Sequence, residues 1–216
     1  MTSHSRKAPR TQKLHKKTEK GRNSKVQTGS FRVIGGTWRS RRLTFPAIVG
    51  LRPTTDRVKE TVFNWLSAYL PDANVLDLFA GSGSLGIEAL SRGAKSVTFI
   101  EKDKQAAIAI RENFKLLGIQ ENIETKVLNI DALTWLSSWD NANTSKAFDV
   151  IFIDPPFRKG LLNDCLSYLE QNHRLDKGTM VYLEREKEAI ETCIPKSWTL
   201  LKEKVAGQVS YQLFKM

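Results

Sequence analysis

The chain has 216 residues, 40% of them hydrophobic, and a formal net charge of +11. That length suits one α/β domain with an appendage, and the apolar content suffices for a packed core. No apolar run approaches the roughly 18 residues that span a bilayer, and the three histidines form no metal cluster or nucleophile–base pair. The two cysteines, Cys165 and Cys193, lie away from every motif and read as reduced thiols of a cytoplasmic protein. Nothing calls for an oligomer, so a monomer without metal is expected.

The charge is unevenly placed. Residues 1–30 carry nine Lys or Arg against one Glu, and residues 31–60 carry seven against two. The rest of the chain is slightly acidic. Residues 1–29 have almost no apolar content and no period, which predicts a disordered basic tail. They also lack the apolar stretch of a secretory signal. A positive excess beside a catalytic domain is the footprint of a nucleic-acid partner. The expected organisation is therefore a tail over 1–29, a hairpin and helix extension over 30–72, and a catalytic domain over 73–216.

Ser30–Ile34 and Arg42–Phe45 predict two short strands around Gly35-Gly36. Arg39, Arg41 and Arg42 line this hairpin with Trp38 among them, and basic residues beside an aromatic suit phosphate contacts and base stacking. Leu51-Arg-Pro-Thr-Thr-Asp-Arg57 leads into a helix capped by Thr54 or Thr55. Val58, Val62, Leu66 and Tyr69 recur along it at helical spacing and predict a packing face.

Asn74–Ala80 predicts a buried strand, followed by Gly81-Ser-Gly-Ser-Leu-Gly86 and a helix over Ile87–Arg92. A glycine-rich turn between strand and helix lets a ligand approach the backbone closely. The pattern also marks dinucleotide enzymes. Asp77 favours another ligand, because a carboxylate before the turn suits an ammonium group and suits a pyrophosphate poorly. Ser96–Glu101 predicts the next strand, and Glu101 at its end can accept hydrogen bonds from ribose hydroxyls. A helix over Asp103–Leu117 stops at Gly118. Ile123–Asn129 predicts a third strand. Asp131 beyond it either meets an adenine amino group or caps the helix Ala132–Trp139.

Phe148–Ile153 predicts a further buried strand, ending in Asp154-Pro155-Pro156-Phe157. The prolines fix the backbone and remove two N–H donors, so the polar groups facing a ligand are acceptors. A carboxylate and a carbonyl can then accept both hydrogens of one NH2 group, and the aromatic ring can stack on the base that carries it. This is a pattern for methylating an exocyclic amine. A helix over Gly160–Gln171, a strand over Thr179–Leu183 and a terminal hairpin of Trp198–Lys202 and Val209–Phe214 complete the chain. The alternation predicts a mostly parallel, doubly wound α/β sheet. Asp77, Glu101, Asp131 and Asp154 fall at the carboxyl ends of strands, the edge where such sheets bind ligands.

Taken together, Arg32–Arg39, Leu51–Glu60, Asp77–Gly83, Asp154–Phe157 and Glu203–Tyr211 resemble the bacterial methyltransferases that modify N2 of one guanine in 16S ribosomal RNA. The resemblance covers roughly residues 31–216. It implies the Rossmann-like methyltransferase fold, S-adenosylmethionine as donor and the guanine near position 966 of the small ribosomal subunit as acceptor. It also implies that Asp77, Phe79, Gly81, Gly83, Glu101, Asp131, Arg52 and Thr54 contact the cofactor. RNA contacts are expected from Arg32, Trp38, Arg39, Arg41 and Arg42. Asp154 is expected mainly to position the amine, since an ordinary aspartate titrating near ~3.9 is a weak base. DNA or other RNA amine methylation shares these motifs and stays open.

Overall fold

The computed structural model describes residues 1, 28–48, 54–121, 125–139, 148–157, 159–171, 175, 177–188 and 192–216. Arg52, most of the basic tail and the polar loop 140–146 lie outside the described residues.

An antiparallel hairpin pairs β1 (Thr28–Arg32) with β2 (Arg42–Pro46). It is followed by α1 (Asp56–Trp65), capped by Thr55. The catalytic unit then runs β3 (Asn74–Asp77), α2 (Ser84–Ser91), β4 (Ser96–Ile100), α3 (Lys104–Leu117), β5 (Lys126–Leu128) and α4 (Ala132–Trp139). It continues through β6 (Val150–Ile153), α5 (Leu161–Gln171), β7 (Met180–Glu186), β8 (Thr199–Ala206) and β9 (Val209–Lys215). The seven strands lie in the order β5-β4-β3-β6-β7-β9-β8. The first five are parallel; β9 is antiparallel to both β7 and β8.

Each central strand sorts its side chains to two faces, as alternation requires. Val75, Val97, Phe99, Val150, Phe152, Met180 and Tyr182 share one core with α1, α2, α3 and the hairpin. Leu76, Ile100, Ile151, Ile153, Val181 and Leu183 share the other with α4 and α5. The crossovers therefore change face between β5 and β6. The strand order reverses at β3 and opens a crevice between the carboxyl ends of β3 and β6.

Helix α1 roofs the β6–β7–β9 side of the first face. Its Phe63 ring lies 5.7 Å from that of Phe152, and Trp65 stacks on Tyr211 at 5.6 Å. Val58, Val62 and Leu66 are buried as the spacing predicts. Tyr69 is not: α1 ends at Trp65, the helical period is lost, and Tyr69 is 44% exposed.

The hairpin is tied down by buried charge. Glu88 accepts the N–H groups of Ile34 and Gly35 at 2.7 and 2.8 Å and pairs with Arg92 at 2.8 Å. Lys59, fully buried, donates to the Arg32 carbonyl at 2.5 Å and faces the Phe31 ring. Gly36 has φ +74°, and a Cβ there would sit 1.7 Å from the Ser91 carbonyl oxygen. Gly35-Gly36 is thus a contact with α2 as much as a turn.

Candidate active site

Strand register places the acids. Asp77 pairs with Phe99 on one side and with Phe152 on the other, and Phe152 pairs with Tyr182. Two residues beyond Phe99, Phe152 and Tyr182 come Glu101, Asp154 and Glu184. Side-chain alternation returns all three to the Asp77 face of the sheet. Their charges act on one another accordingly. Burial, then repulsion from Glu101, weighs against ionised Asp77; burial, then repulsion from Glu184 and Asp77, weighs against ionised Asp154.

Asp77 is 2% exposed and accepts the Gly86 N–H at 3.0 Å. Burial pushes its carboxyl up to about 7, against the pull of that hydrogen bond. The intervening turn needs glycine at Gly81 and Gly83, whose φ angles are +53° and +78°. Gly83 is also the N-cap of α2. Glu101 takes the Gly81 N–H on one oxygen and the Asp103 N–H on the other, both at 2.6 Å. Burial raises its carboxyl, and those two hydrogen bonds oppose the rise. Phe79 is half-buried against the second core.

Of the two readings of Asp131, the structure shows the helix cap. Its Oδ1 accepts the N–H groups of Leu133 and Thr134, the pattern of an N-cap, and its Oδ2 pairs with Lys102 at 3.0 Å. The Lys102 hydrogen bond, the largest cause, holds its carboxyl below the usual range.

Asp154 follows β6 directly. Pro155 is buried, Pro156 exposed, and Phe157 is 41% exposed, so its ring is available at the mouth. The ordinary aspartate expected from sequence is corrected here, because burial drives the Asp154 carboxyl well above its usual range.

Glu184 was not among the residues singled out from sequence. The strand expected over Thr179–Leu183 continues as β7 to Glu186 and carries Glu184 in beside Asp154. Glu184 is 6% exposed and accepts from the Tyr182 hydroxyl at 2.7 Å and the Thr54 hydroxyl at 3.4 Å, both on Oε1. Burial raises its carboxyl and the two hydroxyls oppose the rise. An acid directly after the apolar run expected over Thr179–Leu183 was the available signal, akin to the strand-end acids Asp77, Glu101 and Asp154. Thr54 thus lies at the site through Glu184. Arg57, on the first turn of α1, is exposed.

On the hairpin, Arg39 and Arg42 are exposed. Arg32 pairs with Asp56 at 2.9 Å, and Arg41 donates to the Leu116 carbonyl at 3.0 Å. Trp38 packs half-buried against the first core.

The donor set can be tested against a ligand. Buried acids, a glycine turn and exposed Phe157 fit a molecule that brings positive charge and a flat ring. They do not fit a pyrophosphate, whose charge Asp77 would repel.

Residues 31–215 match the family model described as conserved hypothetical protein 95. The chain is 44% identical over 187 residues to ribosomal RNA small subunit methyltransferase D of Escherichia coli (strain K12), covering 87% of this chain and 90% of that one. With the protein of the same name from Haemophilus influenzae it is 45% identical over 194 residues, covering 88% and 98%. The chain belongs to the ribosomal RNA small subunit methyltransferase D family. Among solved structures, a putative methyltransferase of Escherichia coli superposes with a TM-score of 0.75 at 41% identity, covering 87% of this chain and 98% of that one. Membership of the methyltransferase D family makes the protein a methyltransferase.

Proposed function

We propose that the protein transfers a methyl group from S-adenosylmethionine to the exocyclic N2 of one guanine, at position 966 of 16S ribosomal RNA in the small subunit. The observation that carries this is the placement of Asp154-Pro155-Pro156-Phe157. It follows the carboxyl end of β6, across from Asp77 at the crevice where strand order reverses, with Asp154 on the same face of the sheet as Asp77. The family relatives, named for small-subunit ribosomal RNA, support the polymer.

S-adenosylmethionine supplies an electrophilic methyl on a positively charged sulfur. Asp77 holds the amino group of the donor, Gly81 and Gly83 let it approach the backbone, and Glu101 accepts from its ribose. Phe79 and Thr54 belong to the same donor pocket, and the family resemblance adds Arg52 to the cofactor contacts; Asp131 lines the pocket edge while capping α4. Asp154 and the Pro155 carbonyl accept the two hydrogens of the guanine amine. That raises the electron density of a poor nucleophile and aims its lone pair, so catalysis is mostly positioning and electrostatics. Phe157 stacks on the base after it leaves any helical stack. When the amine gains the methyl it loses a proton, and Asp154, with its carboxyl raised by burial, is suited to take it. Arg39 and Arg42 hold RNA phosphate, with Arg32, Arg41 and Trp38 shaping that surface.

The test is transfer of labelled methyl from S-adenosylmethionine to small subunits lacking the modification, with identification of the product base. N2-methylguanine at one site is expected. Label on adenine or on DNA, or no transfer to any RNA, would overturn the proposal.

A further inference from the structure

We propose that Glu184 selects guanine by accepting the base's N1–H at its Oε2 oxygen. The inference rests on the guanine-N2 reading and adds the residue that distinguishes guanine from other bases.

Three observations carry it. First, Ile153 pairs with Leu183, so Asp154 and Glu184 are the next residues along neighbouring strands. Adjacent strands lie about 4.8 Å apart, close enough for the two carboxyl side chains to converge on neighbouring groups of one base edge. Secondly, Glu184 is held in one orientation. The hydroxyls of Tyr182 and Thr54 both donate to Oε1, and Oε2 accepts no hydrogen bond among the described residues. Tyr182 is itself fixed, fully buried and edge-on to Phe152 at 6.0 Å. Thirdly, both carboxyls face the Asp77 side of the sheet, and the ring of Phe157, three residues beyond Asp154, is exposed.

Guanine presents its N2 amine beside N1–H, a continuous row of donors. Adenine and cytosine each present an amine beside a ring nitrogen that carries a lone pair. With the amine on Asp154 and Pro155, the neighbouring atom of the base meets Glu184. A carboxylate there is satisfied by N1–H and repelled by a lone pair. Two carboxylates side by side also repel each other, and the adjacent donors N1–H and N2–H of guanine relieve that repulsion.

Glu184→Gln tests this. The amide oxygen must take the place of Oε1, since Tyr182 and Thr54 need an acceptor. The NH2 group then stands where Oε2 stood, a donor aimed at the base. Small subunits are reconstituted with either guanine or 2-aminopurine at the target position. 2-Aminopurine keeps the 2-amine but has a bare ring nitrogen at N1. The quantity read is the ratio of kcat/KM for the two bases in each protein, so the intrinsic reactivity of the amines cancels. The native protein should favour guanine, and the Gln variant should shift that ratio by about 100-fold or more toward 2-aminopurine. Cofactor titration of the variant checks that it is folded. If it is not, Glu184→Asp withdraws the acceptor by one methylene and should cost guanine about tenfold while sparing 2-aminopurine.

An equal fall for both bases would make Glu184 a purely structural support for Tyr182 and Thr54 and overturn the proposal. So would a native protein and a Gln variant with the same ratio. Failure of the native protein to methylate guanine would instead remove the guanine-N2 reading itself.

Discussion

The backbone N–H of Gly86 donates to Asp77 Oδ2 at 3.0 Å, across the whole glycine turn. One hydrogen bond therefore ties the end of β3 to the first turn of α2. It is the one hydrogen bond that this buried carboxyl accepts among the described residues, and burial weighs against its charged form. Binding sites of this kind trade stability for function.

The trade can be measured. Burial raises Asp77 from 3.8 to about 7. A raised carboxyl contributes stability that is fully present below about pH 4 and is lost as pH rises through about 7. Asp77→Asn keeps an acceptor for Gly86 and removes the titration. In thermal melts without ligand, the variant should gain on the native protein as pH rises from 4 to 8. Its affinity for S-adenosylmethionine at pH 8 should fall by at least about tenfold. Parallel melting curves at every pH would contradict the assignment.

Asp154→Ala should lower methyl transfer by roughly 100- to 10,000-fold while leaving cofactor binding largely intact. In the native protein kcat should climb with pH above the usual carboxylate range, because the raised Asp154 must ionise before it can accept from the amine. Single-turnover rates and calorimetric titration separate the two effects. Equal loss of binding and rate would refute the role.

Glu88→Ala leaves the N–H groups of Ile34 and Gly35 and the Arg92 guanidinium without their acceptor. A loss of about 3–5 kcal/mol in urea unfolding is expected, as for other broken buried ion pairs. Gly36→Ala meets the Ser91 carbonyl and a left-handed φ together, and should cost at least about 2 kcal/mol. Near-native stability in both would show that the hairpin is not anchored through α2.

Arg39→Ala combined with Arg42→Ala should raise KM for the RNA substrate with little change in kcat. The slope of log affinity against log salt should fall by about one to two. An unchanged slope would place the RNA elsewhere.

Much of the molecule was legible in its sequence because the deciding interactions are local. Thr55 and Asp103 cap helices with their own side chains, Gly118 ends α3 in a left-handed conformation, and α4 runs over Ala132–Trp139 as its apolar pattern predicts. Such features depend on residues within a turn of one another. The runs that became β3, β4, β6 and β7 were also clear, because strands buried on both faces are apolar throughout. Their ends were less so: β3 stops at Asp77, before the residues expected to extend it, and β7 continues to Glu186.

By itself, then, the sequence determined the alternation of strands and helices, the glycine turn, and the place of the acid-Pro-Pro-aromatic run at the end of β6. Only the tertiary structure decided which groups meet. It brought Glu184 beside Asp154 and engaged Arg32 with Asp56, 24 residues away. It also turned Trp38 onto the core, exposed Tyr69 and assigned Asp131 to capping α4. The physical reason is that strand neighbours are chosen by the fit of buried faces far apart in the chain. β3 finds β6 across some 75 residues, and no local pattern records that choice.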